Sequence, residues 1–168
     1  TIDGEFQGDG IVKAGKVVEL TVTGRGGVPT DADAVMLNVT AIFPIGPGYL
    51  TVYPCGTTRP LASTVNYQAG QVVPNAVLAK VGTGGKVCIY TLTDTHIVAD
   101  VTGYVPDGGS PATLTPARLL ETRVGPNEKT IDGEFQGDGV VKAGKVVELT
   151  VTGRGGVPTD ADAVMLNV

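Results

Sequence analysis

A long internal repeat constrains the fold more than any other feature of this chain. Residues 1–39 read TIDGEFQGDGIVKAGKVVELTVTGRGGVPTDADAVMLNV, and residues 130–168 repeat them with one difference, Ile11 against Val140. The offset of 129 residues is far longer than a solenoid repeat and matches a whole domain. We therefore predict a tandem array of near-identical domains. Because the second copy stops inside an apolar run, we expect this chain to be a window of a longer array.

Alternation of apolar and polar residues predicts β-strands throughout the period. In KVVELTVT, Val18 and Leu20 fall on one face and Glu19 on the other, which is the two-residue period of a strand. The pattern recurs in AVMLNVTA, GYLTVYP, STVNY, NAVLAKV, KVCIYTL and HIVADVTGY, with glycine- and proline-rich turns between them. We predict an all-β fold, an antiparallel β-sandwich of immunoglobulin-like or jelly-roll-like topology, repeated in tandem. VGTGGKVCIY further predicts a hairpin between the strand at 76–81 and the next strand.

Domain boundaries follow from the repeat and from one turn-rich stretch. PDGGSPA, residues 106–112, has no alternation and is predicted to be a linker. Residues 1–105 would then be most of one module without its own first segment, and residues 113–168 the first part of the next.

Charge and hydropathy exclude several classes of partner. The net charge is −5, whereas nucleic acids and anionic membrane surfaces are bound mainly through Lys and Arg. The apolar runs are only a few residues long, too short to span a bilayer. We expect no nucleic-acid partner and no membrane insertion.

The two cysteines, Cys55 and Cys88, both lie in the unrepeated part of the chain. A disulfide between them would place the protein in an oxidising, extracellular setting. The alternative is two buried free thiols in a cytosolic protein. We favour the disulfide.

Catalytic and metal-binding signatures are weak. The chain has no GxSxG or SxxK motif and a single histidine, His96, so we predict that it is not an enzyme and needs no cofactor. Asp31 and Asp33 in VPTDADA are weak calcium candidates, because the stretch does not match an EF-hand loop. Solvated turn residues are the alternative interpretation.

PARLLETR is the most informative unrepeated segment. It comprises Pro116, Ala117, Arg118, Leu119, Leu120, Glu121, Thr122 and Arg123. Proline suits the start of an edge strand, so the segment could be the first strand of its own module. Alternatively it could form an inter-module contact by adding to an exposed edge of the preceding domain. We predict an inter-module contact and leave the pairing open.

The order of motifs along the chain resembles a known family. PARLLETR, VELTVTGRGGVP, LNVTA, LTVYPCG, GGKVCIYT and VADVTGY resemble a repeat module of secreted and cell-surface proteins of actinobacteria, in which a PARLLDTR-type motif opens each unit. Glu121 stands where the family often has Asp. The resemblance covers nearly the whole period and implies an extracellular, multi-copy β-domain without catalytic activity.

These observations predict an extracellular or cell-surface structural or adhesive protein that forms a fibre or stalk. Its partners would be neighbouring copies of the same module. The alternative is a carbohydrate-binding module for cell-wall or environmental glycan, since Tyr49 and Tyr53 share one strand face and aromatic rings can stack on sugars.

Overall fold

A computed structural model describes residues 1–109 and 117–166. The chain divides into two compact units, unit 1 (Thr1–Pro111) and unit 2 (Ala112–Val168). The division falls within the predicted linker 106–112, whose last residues lie outside the described ranges. The module boundaries therefore stay predictions.

Unit 1 is built from seven strands in two antiparallel sheets. In chain order they are β1 (Val17–Thr21), β2 (Ala34–Ile42), β3 (Gly48–Pro54), β4 (Val65–Tyr67), β5 (Val72–Lys80), β6 (Lys86–Thr91) and β7 (His96–Val105). One sheet has the order β1-β6-β3-β4 and the other β5-β2-β7. The described residues contain no helix, and so none that could cross a membrane. The predicted all-β class and the seven strand segments are confirmed, and the arrangement is consistent with a β-sandwich.

The core is shared by the two sheets. Strand β2 alternates as the sequence predicts, with Val35, Leu37, Val39 and Ala41 buried. These side chains belong to one apolar cluster with Leu50 of β3, Val65 of β4 and Ile89 of β6. Such burial, at roughly 25 cal/mol per Å² of apolar surface, is the main reason that the two sheets stay together.

The predicted hairpin between β5 and β6 is wrong. The two strands lie in different sheets, because β5 pairs with β2 along its whole length. The chain crosses between the sheets at residues 82–86, where the Gly82 amide donates to the Lys86 carbonyl at 2.9 Å. Gly82 lies so close to the Cys55 backbone that a Cβ would come within 2.2 Å of its carbonyl oxygen. Alternation identifies a strand, but not the strand with which it pairs.

The described part of unit 2 contains no extended strand. Residues 146–150 repeat the sequence of β1 but are not in a sheet, and the described residues of unit 2 form one isolated parallel bridge, between Glu121 and Gln136. Its buried residues include Leu119, Glu121, Thr130, Arg154 and Val157. They lie in segment 117–123, in the loop 130–137 and in the turn 153–157, which hydrogen bonds join to one another.

Candidate functional site

An arginine anchors the first repeated loop, residues 1–8, in unit 1. Arg25 projects from a tight turn, 24–28, in which the Gly24 amide donates to the Val28 carbonyl at 2.8 Å. Its Nη2 donates to Asp3 Oδ1 at 2.7 Å and its Nη1 to the Thr21 carbonyl at 2.8 Å. The guanidinium also lies over the Phe6 ring, 4.9 Å from the centroid, a favourable cation–π geometry. One side chain thus joins the loop to the end of β1.

The second copy of the loop, residues 130–137, re-forms the same arrangement. Arg154 Nη2 donates to Asp132 Oδ1 at 2.8 Å, and its guanidinium lies 4.8 Å from the Phe135 centroid. Phe6 and Phe135 share an unusual positive φ, 52° and 53°. A non-glycine residue in this region is uncommon. Its recurrence indicates that the repeated sequence itself encodes the loop.

The ion pairs in both loops hold their acids ionised. Hydrogen bonds from Arg25 are the largest cause of the lowered pKa of Asp3, and those from Arg154 act in the same way on the pKa of Asp132. Both carboxylates are also bonded to backbone amides two residues later in the chain. Such carboxylates are structural anchors rather than proton donors or acceptors near neutral pH.

The described part of PARLLETR, residues 117–123, lies on the loop of its own unit. It is held through the backbone: Ile131 N donates to Arg118 O at 2.9 Å, Glu121 N to Phe135 O at 3.0 Å, Gly137 N to Glu121 O at 2.8 Å and Gly139 N to Thr122 O at 2.8 Å. Arg154 Nη2 adds a bond of 3.0 Å to Leu119 O. Pro116 lies outside the described residues. The inter-module contact predicted for this segment is not tested by these bonds and stays a prediction.

Leu119 is the apolar anchor of the segment. Its side chain packs beside Gly155, where a Cβ would come within 3.0 Å of Leu119 Cδ2 and 2.8 Å of the Ala117 Cβ. Leu119 is only 7 % exposed, whereas Leu120 is half-buried. The glycine-rich turn of the repeat therefore provides the close approach that this segment needs.

Glu121 organises the segment from within. The buried carboxylate accepts a hydrogen bond from Arg118 Nη1 at 2.6 Å and two from Arg123, at 2.8 and 2.9 Å. The hydrogen bonds from Arg123 are the largest cause that lowers the pKa of Glu121 to about 2. Both arginine side chains are more than half exposed. Both arginines thus bond the same carboxylate, while the Leu119 side chain packs beside Gly155.

Unit 1 contains the predicted disulfide. Cys55 and Cys88 are bonded, with Cα atoms 5.0 Å apart, and they pack with Tyr53 on the outer face of the four-stranded sheet. Tyr90 joins this group, and the Arg59 guanidinium lies 3.8 Å from its ring centroid. Tyr49 and Tyr53 both lie on β3. Arg59 covers the ring of Tyr90, which lies on the neighbouring strand β6.

The weak calcium candidates are not brought together into a cluster. Asp33 Oδ2 accepts a hydrogen bond from the Gly108 amide at 3.0 Å, and Asp31 is exposed. The residues that the structure describes include no group of three or more His, Cys, Asp or Glu side chains that could hold a metal ion. The Asp33 carboxylate thus bonds the turn that follows β7.

Sequence reasoning missed the arginine anchor. Arg25 and Asp3 are 22 positions apart and neither belongs to a recognised motif, although both lie in the duplicated stretch. An arginine between glycines, in TGRGGV, was the available signal. Comparisons of the chain with protein-family models, with characterised proteins and with solved structures found no match.

Proposed function

We propose that this chain is part of an extracellular structural or adhesive tandem-repeat protein that forms a fibre or stalk at the cell surface. The repeated loop carries this proposal. The same 39-residue stretch occurs twice, and in both units it builds the same arginine-anchored loop. In unit 2 this loop grips the segment that precedes it, so that a short stretch of chain at the start of a module is tied down by backbone bonds.

Further support comes from the disulfide and core of unit 1 and from the ionised acids of the two loops. A disulfide and two sheets with a shared apolar core suit a module that withstands mechanical force outside the cell, where disulfides persist. The acids of the loops are held ionised by arginines and are poorly suited to proton transfer. Absence of catalysis, tandem repetition of the folded module, and an immunoglobulin-like or jelly-roll topology are parts of the proposal.

Electron microscopy of the protein isolated from its source tests this proposal. We expect a filament with a regular axial spacing, one step for each 129 residues of sequence. Reduction of the disulfide before imaging is the matched control, since it should loosen each module without changing the number of steps. Independent beads on flexible tethers, without a constant spacing, would refute the structural function.

Glycan binding is the second candidate, and the tyrosine group on the outer sheet favours it. Tyr49 and Tyr90 lie with ring centroids 6.0 Å apart, and Arg59 Nη1 reaches the Tyr49 hydroxyl at 3.4 Å. Aromatic rings beside a guanidinium can take a sugar if the guanidinium moves aside. Screening the chain and its R59A variant on a glycan array tests this candidate. Binding by the original chain that changes in R59A would support it, and no binding by either would exclude it.

A further inference from the structure

Three arginines of this chain, Arg25, Arg59 and Arg154, share one arrangement of contacts. In each of them the guanidinium lies over an aromatic ring and its Nη1 donates to an uncharged oxygen. The rings are those of Phe6, Tyr90 and Phe135, with centroid distances of 4.9, 3.8 and 4.8 Å. The oxygens are the Thr21 carbonyl, the Tyr49 hydroxyl and the Thr150 carbonyl, at 2.8, 3.4 and 2.8 Å. Both contacts leave the edge formed by Nε and Nη2 for a third partner.

In Arg25 and Arg154 this third partner is a carboxylate. Arg154 Nε donates to Asp132 Oδ2 at 2.6 Å, and Nη2 donates to Oδ1 at 2.8 Å. Arg25 bonds the two carboxylate oxygens of Asp3 through the same two nitrogens. Two parallel hydrogen bonds of this kind are the geometry in which a guanidinium binds a carboxylate most strongly. The Nε–Nη2 edge is thus the carboxylate-binding edge of both arginines.

The same edge of Arg59 has no protein partner within the described ranges. The other four arginines, at positions 25, 118, 123 and 154, each form an ion pair with Asp or Glu. The recorded hydrogen bond of the Arg59 guanidinium is the one from Nη1 to Tyr49. Its Nε and Nη2 are also accessible, because the described residues contain no buried side-chain nitrogen that lacks a partner. Arg59 therefore presents to solvent the edge that its two counterparts use for a carboxylate.

Loop 55–64 holds Arg59 on the outer face of the four-stranded sheet. The loop begins at Cys55, whose position the disulfide fixes. Beyond Arg59, the hydroxyl of the buried Thr51 donates to the Ala62 carbonyl at 2.8 Å. The loop is thus tied on both sides of the arginine. A ligand that binds here loses less free energy to ordering of the loop than it would at a free side chain.

The residues around Arg59 suit a sugar. Tyr49 and Tyr90 are half-buried, with ring centroids 6.0 Å apart, and each combines an apolar ring with a hydroxyl. Asn66 is exposed and lies directly opposite Tyr49 in the register of β3 and β4, so both side chains are on the same face. A carboxylated sugar has an apolar ring face, several hydroxyls and one carboxylate. The aromatic rings, the Asn66 amide and the guanidinium match these three groups.

We propose that Arg59 is the recognition residue of a binding site for carboxylated sugars, the uronic acids of acidic glycans. The Nε–Nη2 edge binds the sugar carboxylate while the guanidinium stays over the Tyr90 ring. Tyr49 and Asn66 contact the rest of the sugar. This inference rests on the second proposed function, glycan binding, and names its ligand class; it does not depend on fibre formation.

Tetrasaccharides of galacturonic, glucuronic and mannuronic acid test the site on the full chain. Each is used as the free acid and as its methyl ester, a matched control that keeps the sugar and removes the charge. We expect at least one free acid to bind saturably in calorimetry, tenfold or more tightly than its ester, with an NMR shift of the Arg59 Nε–H proton. No binding of any free acid at about 10 mM would overturn the proposal, and so would equal binding of acids and esters.

Three variants show whether the edge of Arg59 or charge alone binds the ligand. R59A should weaken binding of the free acid tenfold or more, because charge-assisted hydrogen bonds are lost. R59K keeps the charge but lacks the planar edge, so it should weaken binding nearly as much. K80A removes a positive charge from the other sheet and should leave the affinity unchanged. Unfolding in urea shows that each variant is folded. Unchanged affinity in R59A and R59K would refute the site.

The inference and the glycan-binding function fail in different ways. If the chain binds neutral glycans, and uronic acids no better than their esters, glycan binding stands and the carboxylate site is refuted. If it binds no glycan of either kind, both are refuted. Tetraglutamate that binds as tightly as the best uronic acid would indicate a site for acidic peptides and would overturn the choice of a sugar.

Discussion

Removal of the disulfide should destabilise unit 1 strongly, and the loop length sets the magnitude. The bond between Cys55 and Cys88 closes a loop with a sequence separation of 33. On the chain-entropy relation, a loop of this length removes about 12.5 cal/mol/K from the unfolded state, or about 3.7 kcal/mol at 25 °C. Unit 1 spans Thr1–Pro111, so that its unfolding entropy is about 0.23 kcal/mol/K. The variant C55A/C88A should therefore melt about 16 °C lower.

Tyrosine fluorescence during urea unfolding measures this loss in unit 1 alone. The chain has no tryptophan, and its five tyrosines all lie between residues 49 and 104. With a urea dependence of about 1–3 kcal/mol/M, the midpoint should fall by more than about 1 M. Residues 130–166 contain no tyrosine, so that unfolding of unit 2 does not contribute to the measured transition.

The original chain in dithiothreitol is the matched control. It loses the covalent link but keeps both sulfur atoms, which are buried next to Tyr53. Its midpoint should fall nearly as far as that of C55A/C88A, and dithiothreitol should not change the variant further. A loss below about 1 kcal/mol in both would refute the reasoning, because it would mean that the unfolded chain is not constrained by this link.

Two further predictions concern the core of unit 1 and segment 117–123 of unit 2. L50A should lower the free energy of unfolding by about 3–5 kcal/mol, because Leu50 is fully buried between the sheets and the substitution leaves a cavity. The same urea titration measures this loss. L61A, at an exposed leucine, is the control and should change the midpoint little. Glu121 has its pKa lowered from 4.5 to about 2 in the folded protein. Its stabilising contribution is therefore complete above about pH 4.5 and is lost as the pH falls through about 2. The Gly137 amide donates to the Glu121 carbonyl, so its protection against hydrogen exchange should fall as the pH is lowered through this range. The E121Q variant should show no such fall. A protection factor independent of pH in the original chain would contradict this reasoning.

Strands could be predicted from the sequence because their cause is local. Each alternating run presents one apolar face, and in β2 the four residues chosen by alternation are the buried ones. Pairing could not be predicted in the same way. The turn at Gly82–Lys86 has the composition of a hairpin, yet it joins strands of different sheets, because β5 is already paired along its length with β2. The choice of partner depends on the whole fold.

The candidate site was predicted only in part. Two arginines around two leucines made PARLLETR a candidate contact segment, and Leu119 is the buried residue that anchors it. The arginine anchor was missed, because Arg25 and Asp3 meet only after a turn brings distant residues together. The internal acid clamp of Glu121 was not foreseen either, since a glutamate between arginines usually reads as a solvated face.

The two copies of the repeat show which part of the module is encoded locally. Val17–Thr21 forms β1 against β6, whereas the same sequence at 146–150 is not a strand in unit 2. Val17 is 42 % exposed and its copy, Val146, is 86 % exposed. Strand formation therefore depends on partner strands that come from the unrepeated part of the period, as expected when packing rather than backbone preference decides a strand.

The arginine-anchored loop behaves in the opposite way. It has nearly the same φ angles, and the same ion pair and cation–π contact, in both units, although among the described residues only unit 1 forms sheets. The ion pair and the cation–π contact that shape the loop lie within the repeat, so the loop forms in both units. The loop therefore holds segment 117–123 in unit 2 through backbone bonds and the Arg154 side chain, although residues 146–150 form no strand there.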